Sequence, residues 1–568
     1  MGVFRFFRFI TQKYPECLIK LNGTYESCTP PQSKGIYTDW LEFDLNSVFH
    51  PVAQKLYSYG TSTQSNTRIS LLKPTLNKQI SQQDIPEKVL FSEICKRLQN
   101  IINIIKPQKG IYFAIDGVAG VSKQSQQRKR RFKSAQENTD NNEKKFDSNV
   151  ISCGTLFMER LSKYIDIFIQ KQMENNPQWK NLNIIFNNQR VVGEGEHKSI
   201  HHMKQNPQYS YTIVSPDADL IFLSMGLNNP KIYIFRENIF DDMAAAFFMV
   251  SIEVFKKSVL TELKLNDITN KQLTIEDFII YCFFIGNDFL PQIPSININN
   301  QGIENIFALY PIIIKEHGFI SQKQNNNYTL NKKAMKQLLL ELSKQEHQMI
   351  INNIKKNKTK WPDKLLMKYT SYSPHKSITI DLENYKKEYY QQKFNGIDTK
   401  EISHEYLKGI LFVTKYYLDK IPSYTWAYPY FYAPYFKELY EHIDSFDENM
   451  TFEESEPLTP LEQLLSIVPG KCSYLLPEPL RFLSTSAESP IIDMFPINFE
   501  IDLEGKKNEY ECTILLPHID PERLRDAFNE HKHKLSEYDT QRNKPGKILT
   551  YYYDNKNQLI KMLSEPTN

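Results

Sequence analysis

The sequence predicts an α/β fold, a mainly parallel central sheet flanked by helices, with a second, mostly helical segment packed against it. Short apolar runs rich in β-branched and aromatic residues alternate with stretches of helical periodicity, which is typical of a parallel sheet. Acidic residues follow several of these runs directly, and such sheets bind ligands beyond the carboxyl ends of their strands. A content of 40% hydrophobic and 13% aromatic residues is sufficient for large cores.

The individual elements follow from the period of the apolar residues. Short runs bounded by polar or glycine-containing turns predict strands at residues 40–48, 111–115, 183–186, the start of 211–224, and 231–235. Longer stretches with helical spacing predict helices at residues 3–13, 86–105, 157–172, 403–420, 457–476 and 519–539. Segment 499–516 is predicted to be a β-hairpin around Gly505, and segments 54–79 and 136–145 to be polar loops.

The length of 568 residues is typical of two or three domains. Two polar stretches rich in Asn, Gln and Lys, at residues 322–333 and 352–360, indicate the end of the first domain. The predicted organisation is therefore a first domain over residues 1–340, a connecting segment over 341–384, and a second region over 385–568 that walls off the ligand site at the strand ends of the first domain.

Composition excludes several classes of protein. The net charge of +3 is too small to identify a partner, so any nucleic-acid site must be local. The seven cysteines are scattered without a CxxC pair, which argues against a zinc site and favours a reducing, intracellular setting. No apolar run reaches the roughly 18 residues of a membrane span, and the N-terminus lacks the pattern of a secretory signal. We expect no membrane partner.

A basic helix follows the strand at 111–115 and the turn at Asp116. Its positively charged residues are not interrupted by an acidic one from Lys123 to Lys133. Helical spacing places one ammonium, one amide and two guanidinium groups on a single face, and such groups suit the binding of one phosphate: Lys123, Gln127, Arg130 and Arg131. Taken alone, the run could equally be a solvated helix face or a nuclear localisation signal.

Seven carboxylates stand at the ends of strands or apolar segments: Asp44, Asp116, Glu194, Glu196, Asp217, Asp219 and Asp288. Each of them alone could be a helix cap or a turn residue. If they converge, divalent cations must neutralise their repulsion, and oxygen-only ligands suit Mg²⁺ or Mn²⁺. Two such ions would support hydrolysis of a phosphodiester.

The chain resembles the Xrn family of 5′→3′ exoribonucleases along most of its length. In the first domain the matching motifs are MGVFRFFRFITQKYP, FDLNSVFHP, AIDGVAGVSKQSQQRKRRF, FDSNVISCGTLFM, VVGEGEHK, SPDADLIFL and FIGNDFLPQIPS. In the second region they are YPYFYAP, TPLEQLLSIVP, SPIIDMFP and LLPHIDPERL. An ordered set of this size is highly specific.

The resemblance implies a nuclease core of the PIN and flap-endonuclease type, and the removal of nucleotides one at a time from the 5′ end of RNA. It implies that the seven acids hold Mg²⁺, and that Lys123, Gln127, Arg130 and Arg131 form a 5′-phosphate pocket. His50 matches a histidine that stacks on the first base, and Trp426 is the expected aromatic partner. Tyr424 is the alternative, because the stretch SYTW departs from the family pattern.

We therefore expect a processive, Mg²⁺-dependent exoribonuclease that acts on single-stranded RNA with a 5′-monophosphate and releases 5′-mononucleotides. It would serve RNA decay or processing in the nucleus or the cytoplasm, with room for protein partners in a processing complex. Two alternatives remain open at this point. One is a flap-type, structure-specific endonuclease, and the other is a catalytically silent RNA-binding or scaffold subunit.

Overall fold

The fold was analysed in a computed structural model. It describes residues 6–59, 85–137, 146–238, 246–264, 270–298, 301–324, 327–356, 359–373 and 377–566. Most of the predicted loop 54–79, nearly all of loop 136–145 and the first residues of the helix predicted over 3–13 lie outside these ranges.

The described chain contains fifteen strands. In chain order they are β1 (Leu18–Leu21), β2 (Trp40–Asp44), β3 (Gly110–Ala114), β4 (Asn183–Asn187), β5 (Tyr211–Val214), β6 (Ile232–Glu237), β7 (Phe247–Ser251), β8 (Ser321–Gln324), β9 (Asn327–Leu330), β10 (Thr370–Tyr372), β11 (Ile378–Ile380), β12 (Glu500–Asp502), β13 (Thr513–Leu515), β14 (Ile548–Tyr553) and β15 (Leu559–Ser564).

Nine of these strands form the central sheet, in the order β1-β7-β6-β5-β2-β3-β4-β14-β15. The middle five are parallel; in register, Phe43 of β2 lies between Phe113 of β3 and Val214 of β5. The two strands at each edge pair antiparallel. The predicted α/β class with a mainly parallel sheet is confirmed.

In the described ranges, ten α-helices accompany the first seven strands. They are α1 (Phe6–Lys13), α2 (Asn46–Tyr57), α3 (Glu87–Ile105), α4 (Val121–Glu137), α5 (Leu156–Asn175), α6 (Gly195–Gln205), α7 (Asp219–Met225), α8 (Ile252–Glu262), α9 (Lys271–Phe283) and α10 (Glu304–His317). Helices α2, α3 and α5 share one buried core with the sheet residues Phe43 and Phe113. Helices α1 and α6 to α10 contribute to a second core, with Ile213 and Ile234 of the sheet. The sheet is thus covered on both faces, as a parallel sheet requires.

Nine further α-helices follow β9 in the part of the chain that the structure describes. They are α11 (Lys332–Lys356), α12 (Lys364–Lys368), α13 (Leu382–Lys393), α14 (Thr399–Leu418), α15 (Phe436–His442), α16 (Pro460–Ile467), α17 (Glu478–Thr485), α18 (Pro521–His531) and α19 (Glu537–Arg542). Residues of α14 belong to the same buried core as α7 and α9. Residues of α16, α17 and α18 pack with α4 around Phe132. The mostly helical second segment therefore lies directly on the sheet domain.

Some element bounds differ from the sequence prediction. The strand predicted over residues 40–48 ends at Asp44, and α2 begins at Asn46. The helix predicted over residues 457–476 ends at Ile467, before Pro469. Helix α11 crosses the predicted boundary at 340/341, and β14 pairs with β4 in the central sheet. The predicted division into 1–340, 341–384 and 385–568 stays a prediction, to which the structure adds that residues 548–564 belong to the sheet.

No helix in the described part of the chain combines the length and the apolar character that crossing a membrane requires.

Candidate active site

The order of the parallel strands fixes where the acidic residues meet. The chain runs from β2 to β3 and β4 on one side and then to β5 and β6 on the other, so the order reverses between β2 and β5. Ligands of open α/β sheets bind at this reversal, beyond the carboxyl ends of the strands. Asp44 is the last residue of β2, Asp116 comes two residues after β3, and Asp217 comes three residues after β5.

A glycine brings the two glutamates close to these aspartates. Glu194 precedes α6 as its N-cap residue, and Gly195 donates its backbone N–H to Asp116 Oδ1 at 2.7 Å. A Cβ atom at position 195 would lie 3.3 Å from Asp116 Oδ1 and 3.4 Å from Asp44 Oδ1. Only a residue without a side chain leaves this approach unobstructed. The sequence EGE therefore places Glu194 and Glu196 beside the strand-end carboxylates.

Lys123 of α4 lies among three of the carboxylates. Its Nζ atom is 2.8 Å from Glu194, 3.0 Å from Asp288 and 3.5 Å from Glu196. Burial alone would lower the pKa of Lys123, but these acids outweigh it and hold the pKa well above its usual value. Burial likewise raises the pKa of Asp288, but Lys123 foremost reverses this and the pKa lies well below the usual range. Lys123 is therefore the internal counter-ion of the cluster.

The remaining carboxylates are less well compensated. Burial, followed by the charges of Asp116 and Asp217, raises the pKa of Asp44 to about 8. Burial, followed by Asp217 and Asp288, raises the pKa of Asp219 to about 8. Burial also raises the pKa of Glu196 well above its usual value. Such shifts measure the electrostatic cost of holding several anions together in a buried site.

This donor set fits a hard divalent cation. Glu196, Asp217 and Asp219 each offer a carboxylate oxygen, and the three oxygens lie within 4.8 Å of one another. Carboxylate oxygens without a nitrogen or sulfur ligand are typical of Mg²⁺ and Mn²⁺ sites. A cation would also relieve the repulsion that raises the pKa of Asp44 and Asp219. The geometry therefore supports a metal site at this end of the sheet.

The second segment contributes directly to the cluster. From α14, Tyr416 donates its hydroxyl to Glu194, and Tyr417 donates its hydroxyl to Asp219 Oδ1 at 2.8 Å. From α16, Gln463 accepts a hydrogen bond from Ala119 N–H at 2.7 Å. The sequence analysis missed these three residues. The adjacent tyrosines at the end of the apolar stretch GILFVTKYYL were the available signal for the first two.

One cavity of about 1550 Å³ joins the acidic cluster to the basic face of α4. All four residues predicted for the phosphate pocket line it: Lys123, Gln127, Arg130 and Arg131. Arg131 donates to Ser152 Oγ from Nε at 3.2 Å and from Nη2 at 2.8 Å. Burial, followed by the charge of Arg130, lowers the pKa of Arg131 to about 10, so the guanidinium group of Arg131 stays charged at neutral pH. Positively charged side chains therefore line this cavity next to the cluster of carboxylates.

Six of the seven predicted acids line this cavity. Asp219 is not among the cavity-lining residues of the described chain, but it lies beside Asp217 within the cluster. The structure therefore brings all seven acids to one end of the sheet. Their individual catalytic and metal-binding roles stay predictions.

His50 and Trp426 do not meet in the structure. His50 lines the cavity, where burial, then Arg130 and Arg131, lowers its pKa to about 3 and keeps the ring neutral. Trp426 packs against Phe412, with ring centroids 4.4 Å apart, and is not among the cavity-lining residues of the described chain. Tyr424 is not among them either; its carbonyl accepts the N–H of Val121. Base stacking by His50 with either aromatic stays a prediction.

Comparisons with known proteins show which families and relatives this chain resembles. The model of the XRN 5′-3′ exonuclease N-terminus matches residues 1–238, and that of the Xrn1 helical domain matches residues 269–377 and 369–568. The 5′-3′ exoribonuclease 2 homolog of Drosophila melanogaster is 25% identical over 97% of this chain and 73% of its own length.

Two further relatives are considerably longer than this chain. The 5′-3′ exoribonuclease 1 of Homo sapiens is 26% identical over 99% of this chain and 36% of its own length. The corresponding Saccharomyces cerevisiae protein is 26% identical over 98% of this chain and 45% of its own length. The chain thus spans less than half of either protein. Because the two family models match residues in both halves of the chain, and residues from both matched regions line the acidic cavity, the protein belongs to the Xrn family of 5′→3′ exoribonucleases.

Proposed function

We propose that this protein is a processive 5′→3′ exoribonuclease that hydrolyses single-stranded RNA carrying a 5′-monophosphate and releases 5′-mononucleotides. The observation that carries the proposal is a single cavity in which a basic helix face adjoins a cluster of buried carboxylates. The basic helix face suits a terminal phosphate, and the cluster of carboxylates suits the scissile phosphodiester. Its role would lie in RNA decay or processing within the nucleus or cytoplasm. The names of the relatives, 5′-3′ exoribonuclease 1 and the 5′-3′ exoribonuclease 2 homolog, support the RNA substrate and the direction of hydrolysis.

The acidic residues would hold Mg²⁺ or Mn²⁺, with two ions as the expected number. Glu196, Asp217 and Asp219 are the best-placed ligands because their oxygens already converge. When bound, a pair of divalent ions activates the attacking water and stabilises the leaving oxygen. Tyr416 and Tyr417 orient Glu194 and Asp219 by hydrogen bonds and so fix where the carboxylate oxygens point.

The 5′-monophosphate would bind to Lys123, Gln127, Arg130 and Arg131, which all line the cavity. Guanidinium groups offer two parallel N–H donors to a phosphate, and an amide adds a further donor. Arg131 is already oriented by Ser152, which limits the freedom that it would lose on binding. A cap or a triphosphate adds bulk and charge at the same point, where Ser148, Asn149 and Ser152 also line the cavity, and would be excluded.

Substitution of Arg130 by alanine tests recognition of the 5′ end. A charge-assisted hydrogen bond contributes about 1.5–3 kcal/mol, which corresponds to a loss of roughly 10-fold to 100-fold in kcat/KM. Because Arg130 is exposed, we expect the lower end of this range on 5′-phosphorylated RNA. RNA with a 5′-hydroxyl never makes the contact, so its slower hydrolysis should change little. The measurement is kcat/KM on both substrates with Mg²⁺, for wild type and variant.

Lys129→Met is the matched control. Lys129 precedes Arg130 on α4 but is not among the cavity-lining residues of the described chain, and its Nζ lies 5.3 Å from the centre of the Phe431 ring. This variant should keep the wild-type preference for the 5′-phosphate. Equal slowing of both substrates by Arg130→Ala, or a larger effect of Lys129→Met, would show that α4 is a general RNA-binding surface instead of an end-specific pocket.

A further inference from the structure

Arg236 is a buried arginine that the site described above does not use. It is the fifth residue of β6, at the carboxyl end of the strand next to β5, and only 6% of its surface is exposed. Its guanidinium carbon lies 3.3 Å from the centre of the Phe7 ring. Within the described ranges the Nε and Nη1 atoms of Arg236 have no hydrogen-bond partner, and Arg236 forms no ion pair there. A buried cation with unpaired donors is costly, and natural proteins keep few of them.

Arg236 lines the same cavity as the acidic cluster, together with Phe7 and Arg8 of α1. The order of the strands gives the order of these groups along the edge of the sheet. Arg236 is on β6, Asp217 follows the neighbouring β5, Asp44 ends β2, and Asp116 follows β3. Helix α4, which carries Arg131, follows β3 in the chain. The carboxylates therefore lie between two cationic regions, with Arg131 on one side and Arg236 on the other.

An RNA strand bound with its 5′-phosphate beside Arg130 and Arg131 must pass the carboxylates with its first phosphodiester. Its next phosphate then lies on the far side of the cluster. A strand carries one anionic phosphate per linkage, so a cation placed there meets a charge whatever the sequence. A guanidinium stacked on an aromatic ring keeps its in-plane N–H donors available for such a phosphate.

We propose that Arg236, stacked on Phe7, binds the phosphate of the second internucleotide linkage, immediately 3′ of the bond that is hydrolysed. This inference rests on the proposed function, since it places the scissile linkage at the carboxylates. The contact holds the strand in position from the side opposite the 5′-phosphate pocket. It acts on the backbone and carries no base preference.

The test is a cycle that combines a neutral linkage in the RNA with Arg236→Met in the protein. A methylphosphonate removes the charge of one linkage, and methionine keeps apolar contact with Phe7 while it removes the cation. Binding of 5′-phosphorylated 12-nucleotide RNAs is measured by fluorescence anisotropy in EDTA, with the methylphosphonate at linkage two, three, four or five. For wild type we expect a loss of roughly 10-fold or more in affinity at linkage two. For Arg236→Met we expect the same loss on unmodified RNA and no additional penalty at linkage two.

Salt dependence gives a second readout. Loss of one phosphate contact should reduce the slope of log K against log salt concentration by about 0.7, the value for a single strand. Arg128→Met is the matched control, because Arg128 is also buried against an aromatic ring, 4.3 Å from the centre of Phe132, but does not line the cavity in the described chain. It should retain the wild-type penalty at linkage two. If either variant folds poorly, the affinities of the wild-type protein for the four modified RNAs still test the inference, because they need no substitution.

The inference is overturned if a methylphosphonate at linkage two costs the wild-type protein no affinity. It is also overturned if the modification still lowers the affinity of Arg236→Met. Hydrolysis by wild type of the unmodified RNA is followed in parallel with Mg²⁺. Normal hydrolysis with no penalty at linkage two overturns this inference alone. A penalty at linkage two that disappears in Arg236→Met, without any hydrolysis of the unmodified RNA by wild type, overturns the proposed exonuclease function and supports a phosphate contact of Arg236.

Discussion

Replacement of Asp217 or Glu196 by alanine should abolish hydrolysis of 5′-phosphorylated RNA while the protein still folds. Each residue supplies one of the three converging carboxylate oxygens, so its loss removes a metal ligand. Metal ions contribute several kcal/mol to stabilisation of the transition state, and a loss of this size lowers the rate by more than about 1,000-fold. Removing one anion also relieves repulsion within the buried cluster, so we expect Tm to stay at or above the wild-type value.

The measurement is single-turnover hydrolysis at saturating Mg²⁺, with Tm recorded on the same preparations. Glu316→Ala serves as the control, because Glu316 is an exposed carboxylate on α10 that is not among the cavity-lining residues of the described chain. It should retain wild-type turnover. Near-normal turnover in Asp217→Ala or Glu196→Ala would falsify the assignment of these residues to the metal site.

Limited proteolysis should release no active fragment that consists of residues 1–340. Helix α14 supplies the tyrosines that hold Glu194 and Asp219, and α16 supplies Gln463 beside α4. Strand β14 continues the central sheet beyond β4, and its Tyr551 is fully buried. A fragment without these elements would lose two carboxylate partners and expose two faces of its core. We expect loss of more than about 99% of the activity, because apolar burial on this scale stabilises the fold by many kcal/mol.

The digest is separated by size, and each fraction is assayed on 5′-phosphorylated RNA. Intact chain recovered from the same digest is the control and should keep its specific activity. Isolation of a stable 1–340 fragment with a comparable rate would contradict the arrangement in which the second region completes the site.

The position of the acidic cluster could be predicted from the sequence because its causes are local. Asp44 is the last residue of a buried strand and Asp116 comes two residues after the next one, and parallel strands bring their carboxyl ends to the same edge of the sheet. The glycine between Glu194 and Glu196 is a second local signal, because it indicates that the backbone comes close to another part of the chain at this point. The period of α4 likewise placed Gln127, Arg130 and Arg131 on one face, and the structure shows all three lining the cavity.

Contacts that depend on distant segments could not be predicted in this way. Periodicity places Lys123 on the phosphate-binding face, but only the folded chain shows that its ammonium lies among Glu194, Glu196 and Asp288. The hydrogen bond between Tyr417 and Asp219 joins residues far apart in sequence, and no local pattern specifies such a pair. Strand β14 was not predicted to join the central sheet for the same reason. In the sequence it is an isolated run of Ile, Leu, Thr and Tyr, and its partner strand is far away along the chain.

The identity of the first product tests the proposed activity most directly. A single-stranded RNA with a radioactive 5′-monophosphate and a fluorophore at its 3′ end is incubated with the wild-type protein and Mg²⁺, and both labels are followed from the earliest time points. We predict that the radioactive label appears only as a 5′-mononucleotide, that few partly shortened fluorescent strands accumulate, and that EDTA stops both. Radioactive oligonucleotides would contradict the account in favour of an endonuclease, and an intact RNA that stays bound would contradict it in favour of a silent RNA-binding subunit.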